Sequence, residues 1–165
     1  MTASFQIRIS LVPEHPAAYP SALDRIQGAF AEHLIVDRGI ETNEAKRQAA
    51  DIFGREMSIH RANAQDFMSI RNYGRLVGFL WKTERTTDEG LTWHILYIET
   101  LPPFRGRGIA NAAMTELIEW ARKAGVSAIT LNVSPRNKPA LGLYCRLGFV
   151  AQRGGWVLPL APRID

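Results

Sequence analysis

The sequence predicts an α/β fold, a mixed sheet with helices on both faces. Two kinds of apolar spacing predict it. In stretches such as 91–101, LTWHILYIETL, apolar side chains recur at every second position, the period of a half-buried strand. In others, such as 110–121, they recur at three and four, the period of an amphipathic helix. A third observation is their order. In the second half of the chain the two patterns succeed one another as strand, helix, strand, which places helices over a sheet.

Each element can be justified in turn. Phe5, Ile7, Ile9 and Leu11 alternate with polar residues as a first strand, which Pro13 stops. Leu23, Ile26, Phe30 and Leu34 predict a helix over 21–34. A second helix is expected over 43–60 with Asn43 as its cap, and VDRGIET between the two reads as a loop. Residues 65–71 and 75–84 are strand-like, and NYG at 72–74 joins them as a hairpin. The strand over 91–101 ends at Pro102 and Pro103. Ala110, Ala113, Met114, Leu117, Ile118 and Ala121 then form one helical stripe, and Gly125 stops it. Ile129, Leu131 and Val133 alternate as a strand. Asn137 caps the next helix, with Pro139 in its first turn and Gly148 at its end. Residues 149–160 form a strand pair divided at Gly154–Gly155.

At 165 residues the chain is expected to be one domain, 1–165, with enough length for a substantial core. Hydrophobic residues make up 46% and charged residues 22%, a globular balance that excludes a disordered chain. No run is long enough for a membrane span or a leader, so a cytoplasmic protein is expected. Cys145 is the single cysteine, which excludes an internal disulfide framework. It has no histidine near it in sequence and reads as a small buried filler, not a nucleophile. The net charge of +4 favours anionic ligands. The basic residues are scattered and not interleaved with aromatics, which speaks against nucleic acid. His15, His33 and His60 have no metal-ligand spacing, and no metal is expected.

PFRGRGIAN at 103–111 sets two arginines and two glycines at a helix entrance. It lacks the lysine and hydroxyl residue of a Walker loop. As a dinucleotide fingerprint it fails at Asn111, where a third glycine belongs, and it lies late in the chain. Two readings stay open. It is a helix cap with solvent-facing arginines, or a pyrophosphate cradle of backbone N–H groups. In the cradle, Gly106 and Gly108 allow close approach and the amides of Gly108, Ile109, Ala110 and Asn111 point at the anion. Arg105 and Arg107 add charge.

RGRGIA fits R-x-x-G-x-A through Arg105, Gly108 and Ala110, and about thirty residues later comes LNVSPRNKPALGLYCRLGF. This pair, in this order, resembles the GNAT superfamily of N-acetyltransferases over residues 91–150. One departure is Gly142 inside the last motif helix, at a cost of about 1 kcal/mol relative to alanine. The resemblance implies a mostly antiparallel sheet with a V-shaped acetyl-CoA gap between the fourth and fifth strands. It implies pyrophosphate on Gly106–Asn111 with Arg105 and Arg107 beside it. The pantetheine arm would pair with the fourth strand at Ile98, Glu99 and Thr100, where a backbone N–H would steady the oxyanion. Asn137 would touch the cofactor arm.

Tyr144 matches the tyrosine that gives a proton to the departing thiolate; by itself it also reads as a core aromatic. The amine must lose a proton, and the candidates to take it are Glu99 and His94, with bulk solvent as the third possibility. Strict alternation puts those two on opposite faces, and a bulge, frequent in this strand of the family, alters the count. A glutamate that some relatives carry on the fifth strand corresponds here to Asn132, which is no base. Glu32, Asp37, Glu41 and Glu44 around the first helix–helix loop would suit a cationic acceptor, or form a solvated helix surface. The resemblance thus implies an acetyl-CoA-dependent N-acetyltransferase acting on a primary amine by direct attack in a ternary complex. Its rivals are an acyl-CoA-binding sensor without turnover and a basic nucleic-acid-binding protein. A homodimer is left open, and no membrane partner is expected.

Overall fold

The computed structural model describes residues 6–59 and 66–160. They fall into two compact units, one reaching to Pro13 and resuming at Met68, the other Glu14–Phe67. Expectations for Phe5 and His60 lie outside the described residues.

Residues Glu14–Phe67 contain a helical hairpin. A 3-10 turn at Pro16–Ala18 leads into α1 (Tyr19–Arg38), and α2 spans Thr42–Ile59. The first helix begins two residues earlier than the apolar spacing suggests, because Pro20 is tolerated in a first turn where its missing N–H has no role. It runs on to Arg38, where Gly39 at φ +65° turns left-handed and donates to the Ile35 carbonyl. Asn43 is not the cap of α2. Glu41 caps it, accepting from the N–H groups of Asn43 (2.9 Å) and Glu44 (3.3 Å). Ala31, Leu34, Ala45 and Ala49 make the seam between the helices, and Phe30 meets Phe53 edge-on at 5.4 Å. Three alanines at the crossing let the helices pack closely.

The other unit is built on one seven-stranded sheet in the order β1-β2-β3-β4-β5-β7-β6. Its strands are β1 (Ile9–Pro13), β2 (Phe67–Asn72), β3 (Arg75–Thr87), β4 (Gly90–Thr100), β5 (Ala128–Leu131), β6 (Val150–Gln152) and β7 (Gly155–Pro159). β1 starts at Ile9, after Ile7, because the Asn72 side chain takes over the ladder, accepting from Arg8 N–H (2.7 Å) and donating to the Gln6 carbonyl. Tyr73 and Gly74, both at positive φ (+49° and +79°), make the two-residue β2–β3 turn whose twist suits a hairpin. β3 outruns its expected end at 84 and pairs as far as Thr87↔Gly90.

The β4–β5 pair is parallel; β1–β2, β3–β4, β5–β7 and β6–β7 are antiparallel. α3 (Ile109–Lys123) crosses from β4 to β5, and α4 (Lys138–Arg146) follows β5. The stripe of α3 is sealed: Ala113, Met114, Leu117 and Ala121 have no exposed surface. It shares one core with Trp93, Ile95, Ile129 and Leu131 of the sheet and with Leu143 and Tyr144 of α4. Burying a leucine such as Leu117 is worth roughly 1.5–3 kcal/mol. No helix among the described residues is long and apolar enough to cross a membrane.

Candidate active site

β4 and β5 pair over only four residues, Thr92↔Ala128 to Ile95↔Leu131. Beyond Ile95, β4 continues to Thr100 with β3 as its only strand partner among the described residues, while β5 has ended. The edge of β4 at Ile98, Glu99 and Thr100 that faces away from β3 therefore lines an opening at the carboxyl ends of two parallel strands. Such crevices are where open α/β sheets take ligands.

The chain leaves β4 through a tight connection. Leu101 N–H donates to the Val77 carbonyl (2.8 Å), and a 3-10 turn at Pro102–Phe104 buries Phe104. Arg105 is extended, and its Nε donates to the Thr100 carbonyl at 3.1 Å, so its stem lies back on the end of β4. Gly106 (φ +71°) and Gly108 (φ +79°) follow, both in the left-handed region that other residues rarely adopt. A Cβ at Gly106 would meet nothing within 4 Å; at Gly108 it would meet Ile7 Cδ1 at 3.3 Å. Gly108 occupies the N-cap of α3 and supplies no side-chain acceptor. The N–H groups of Gly108, Ile109, Ala110 and Asn111 have no acceptor among the described residues. These are four aligned donors at the positive end of a fifteen-residue helix. Ile109 is buried and Ala110 packs on the core, so only their backbone is available, while the side chains of Arg105, Arg107 and Asn111 are exposed.

One irregularity decides which β4 side chains meet. Trp81 pairs with Tyr97 and Lys82 with Ile95, so Leu96 has no opposite number and forms a bulge. Up to Ile95 the odd-numbered residues share a face; after the bulge the parity is reversed. His94, Tyr97 and Glu99 therefore stand on one face, and Trp93, Ile95, Ile98 and Thr100 on the other. His94 is buried, and its Nδ1 lies 2.7 Å from the Thr130 hydroxyl on β5. The Tyr97 hydroxyl donates to Glu99 Oε2 at 2.8 Å.

Asn137 caps α4, its Oδ1 accepting from Ala140 N–H at 3.2 Å. That bond engages the oxygen only; the side-chain NH2 has no acceptor among the described residues. Tyr144 is 6% exposed, with its ring 5.5 Å from that of Phe149. It shares the core that Ile98 packs against. Its hydroxyl makes no hydrogen bond among the described residues, and burial pushes the phenol up to about 12.

One expectation needs correction. Cys145 is exposed rather than a buried filler, because on α4 it follows the inward-facing Leu143 and Tyr144. Of the carboxylates near the first loop, Glu32 and Glu41 are exposed, Asp37 pairs with His33 at 2.9 Å, Glu41 caps α2, and Glu44 binds Arg47 and Gln48. Asn132 is exposed just past β5. Tyr97 and Thr130 carry no mark of function in the sequence. Both sat inside regular strand patterns, and only strand register brings them to the site. Among the described residues no group of three His, Cys, Asp or Glu side chains could hold a metal ion.

A model of the acetyltransferase (GNAT) family matches residues 28–149. The uncharacterized N-acetyltransferase MJ1207 of Methanocaldococcus jannaschii is 35% identical over 91 residues, 51% of this chain and 39% of that protein. Streptothricin acetyltransferase of Streptomyces lavendulae is 33% identical over 88 residues, 53% of this chain and 46% of that protein. The matched stretches thus span less than half the length of these relatives. Among solved structures, Bacillus subtilis YycN has a TM-score of 0.76 at 21% identity, covering 96% of this chain and 99% of that one. A GNAT family acetyltransferase from Brucella melitensis, solved in complex with acetyl-CoA, has a TM-score of 0.60 at 13% identity, covering 97% and 93%. At such identities the likeness is one of fold. The family match, however, takes in both strands of the parallel seam, the glycine turn and the whole of α4, and the chain belongs to the acetyltransferase (GNAT) family.

Proposed function

We propose that this protein is an N-acetyltransferase that moves the acetyl group of acetyl-CoA to a primary amine by direct attack in a ternary complex, with residues 1–165 acting as one catalytic domain. The observation that carries the reading is the opening of the β4–β5 pair beside four donor N–H groups at the entrance of α3. An extended thioester arm ending in a pyrophosphate needs both features, one for each end. That a family member of the same fold was solved with acetyl-CoA supports it.

In this reading Gly108, Ile109, Ala110 and Asn111 receive the pyrophosphate through their N–H groups. Gly106 leaves room above the backbone, and Arg105 and Arg107 add positive charge. The edge of β4 at Ile98, Glu99 and Thr100 turned away from β3 binds the arm as an added strand, and an N–H there stabilises the oxyanion as the amine attacks. Asn137 contributes its side-chain NH2 to the arm while its oxygen keeps α4 capped.

As the C–N bond forms and the C–S bond breaks, the amine must lose one proton and the sulfur gains negative charge. Glu99 takes the amine's proton; His94, buried and bound to Thr130, is the less accessible choice. Tyr144 faces the other charge. A phenol at about 12 passes its proton fully to a thiolate whose conjugate acid lies near 8.5 only at a cost of about 5 kcal/mol. Tyr144 therefore works as a hydrogen-bond donor that stabilises the developing thiolate, and solvent completes the protonation. The test is a panel of small amines and peptides incubated with acetyl-CoA, following free thiol. Amine-dependent release supports the reading; acetyl-CoA binding without release by any amine replaces it with a sensor.

A further inference from the structure

The bulge at Leu96 sends Tyr97 and Glu99 away from the face of Trp93 and Ile95, which lie in the core, and onto the face of His94. Glu99 stands second from the end of β4, half-buried, on the stretch that has lost β5 as a neighbour. A glutamate there has three side-chain torsions to fix before it can meet an amine at a defined distance. Tyr97 holds its side chain, and its backbone lies close against β3. Tyr97, two residues back on the same face and paired with Trp81, gives its hydroxyl proton to Glu99 Oε2 at 2.8 Å. Beneath it, β3 has Gly78, where an added Cβ would lie within 3.3 Å of Glu99 backbone atoms, its carbonyl oxygen nearest. A glycine inside a strand weakens it unless another backbone comes close, and here that backbone is Glu99's own.

We propose that Tyr97 is the positioning residue of the catalytic carboxylate: its hydroxyl holds Glu99 in one orientation at the open end of β4, so that the incoming amine meets an ordered acceptor for its proton. The proposal rests on the acetyltransfer reading for the role of Glu99, but not for the contact itself. Misplacement of a reacting group by an ångström costs up to about a hundredfold in rate.

The experiment is a double-mutant cycle of Tyr97→Phe and Glu99→Ala, read in two ways. Without turnover, Tyr97→Phe raises the unfolding equilibrium constant about fivefold in the wild-type chain, and less than about twofold where Glu99 is already alanine. Equal effects in both backgrounds overturn the contact. With the amine found in the screen, Tyr97→Phe lowers kcat about tenfold with acetyl-CoA KM unchanged, and has no further effect in Glu99→Ala. A ring that merely packs is preserved by Phe and leaves kcat intact, so full kcat in a coupled pair overturns the positioning role. If stability couples but the wild type acetylates no amine, it is the acetyltransfer reading that fails, and the held carboxylate stands.

Discussion

Replacing Tyr144 with Phe removes one oxygen and keeps the ring against Phe149. Because that hydroxyl makes no hydrogen bond among the described residues, its loss strands no partner, and stability near neutral pH changes by less than about 1 kcal/mol. At high pH the two chains differ. The folded-state phenol sits at about 12 against an ordinary 10, so the unfolded chain ionises first. The stabilisation from keeping it neutral is complete below pH 10 and is lost as pH rises through 12, in total about 2–3 kcal/mol. Tyr144→Phe has no proton to lose, so its stability relative to wild type should improve by that amount between pH 10 and 12. Catalysis moves the other way. Removing one donor aimed at developing charge costs about 10²–10³-fold in kcat, with acetyl-CoA affinity little changed. The assays are denaturant unfolding at pH 8 and pH 11, and thiol release under conditions where chemistry limits the rate. Near-normal kcat in Tyr144→Phe would refute the role at the sulfur. An unchanged difference in stability between the two pH values would refute the burial argument.

Three further outcomes are expected. Gly108→Val places a branched side chain at φ +79° against Ile7, at a strain of about 1–3 kcal/mol, and abolishes the rise in Tm that acetyl-CoA gives the wild type; a folded variant with an undiminished rise moves the phosphate site elsewhere. Asn137→Ala removes the α4 cap, costing about 1 kcal/mol in unfolding measurements, and weakens acetyl-CoA binding in calorimetry as well; a stability loss alone leaves Asn137 a cap and nothing more. Glu41→Ala costs about 1 kcal/mol and Asn43→Ala much less, as measured by chemical denaturation; the reverse order would contradict the observed cap.

What could be read from sequence, and what could not, divides along the range of the forces concerned. The stripe of α3, the Asn137 cap and the Tyr73–Gly74 turn are local, and neighbouring residues determine them. The cap of α2 is not legible because Glu41 and Asn43 both lie at a plausible start, and only the path of the backbone shows which carboxyl or amide reaches the N–H groups. The length of β3 beyond 84 depends on its partner strand, and polar residues such as Thr86 and Thr87 carry no apolar signal. The face shared by His94, Tyr97 and Glu99 depends on the single residue Leu96, whose apolar side chain marks no break in the pattern. The opening between β4 and β5 depends on where β5 stops, a property of its pairing with β7 as much as of its own four residues.

The brevity of the β4–β5 pairing has a mechanical consequence. The sheet is two antiparallel blades, β1–β4 and β5–β7–β6, stitched by four residue pairs at one seam. An extended molecule lying along the edge of β4 beyond Ile95 would add a second row of stitches where, among the described residues, β5 no longer pairs with it. On the proposed binding mode, filling the opening stiffens this short seam and emptying it relaxes the seam. Amide hydrogen exchange at 97–100 tests the proposed binding mode: it predicts that backbone protons turned toward β3 exchange at much the same rate with or without acetyl-CoA, while those turned toward the opening slow on adding it.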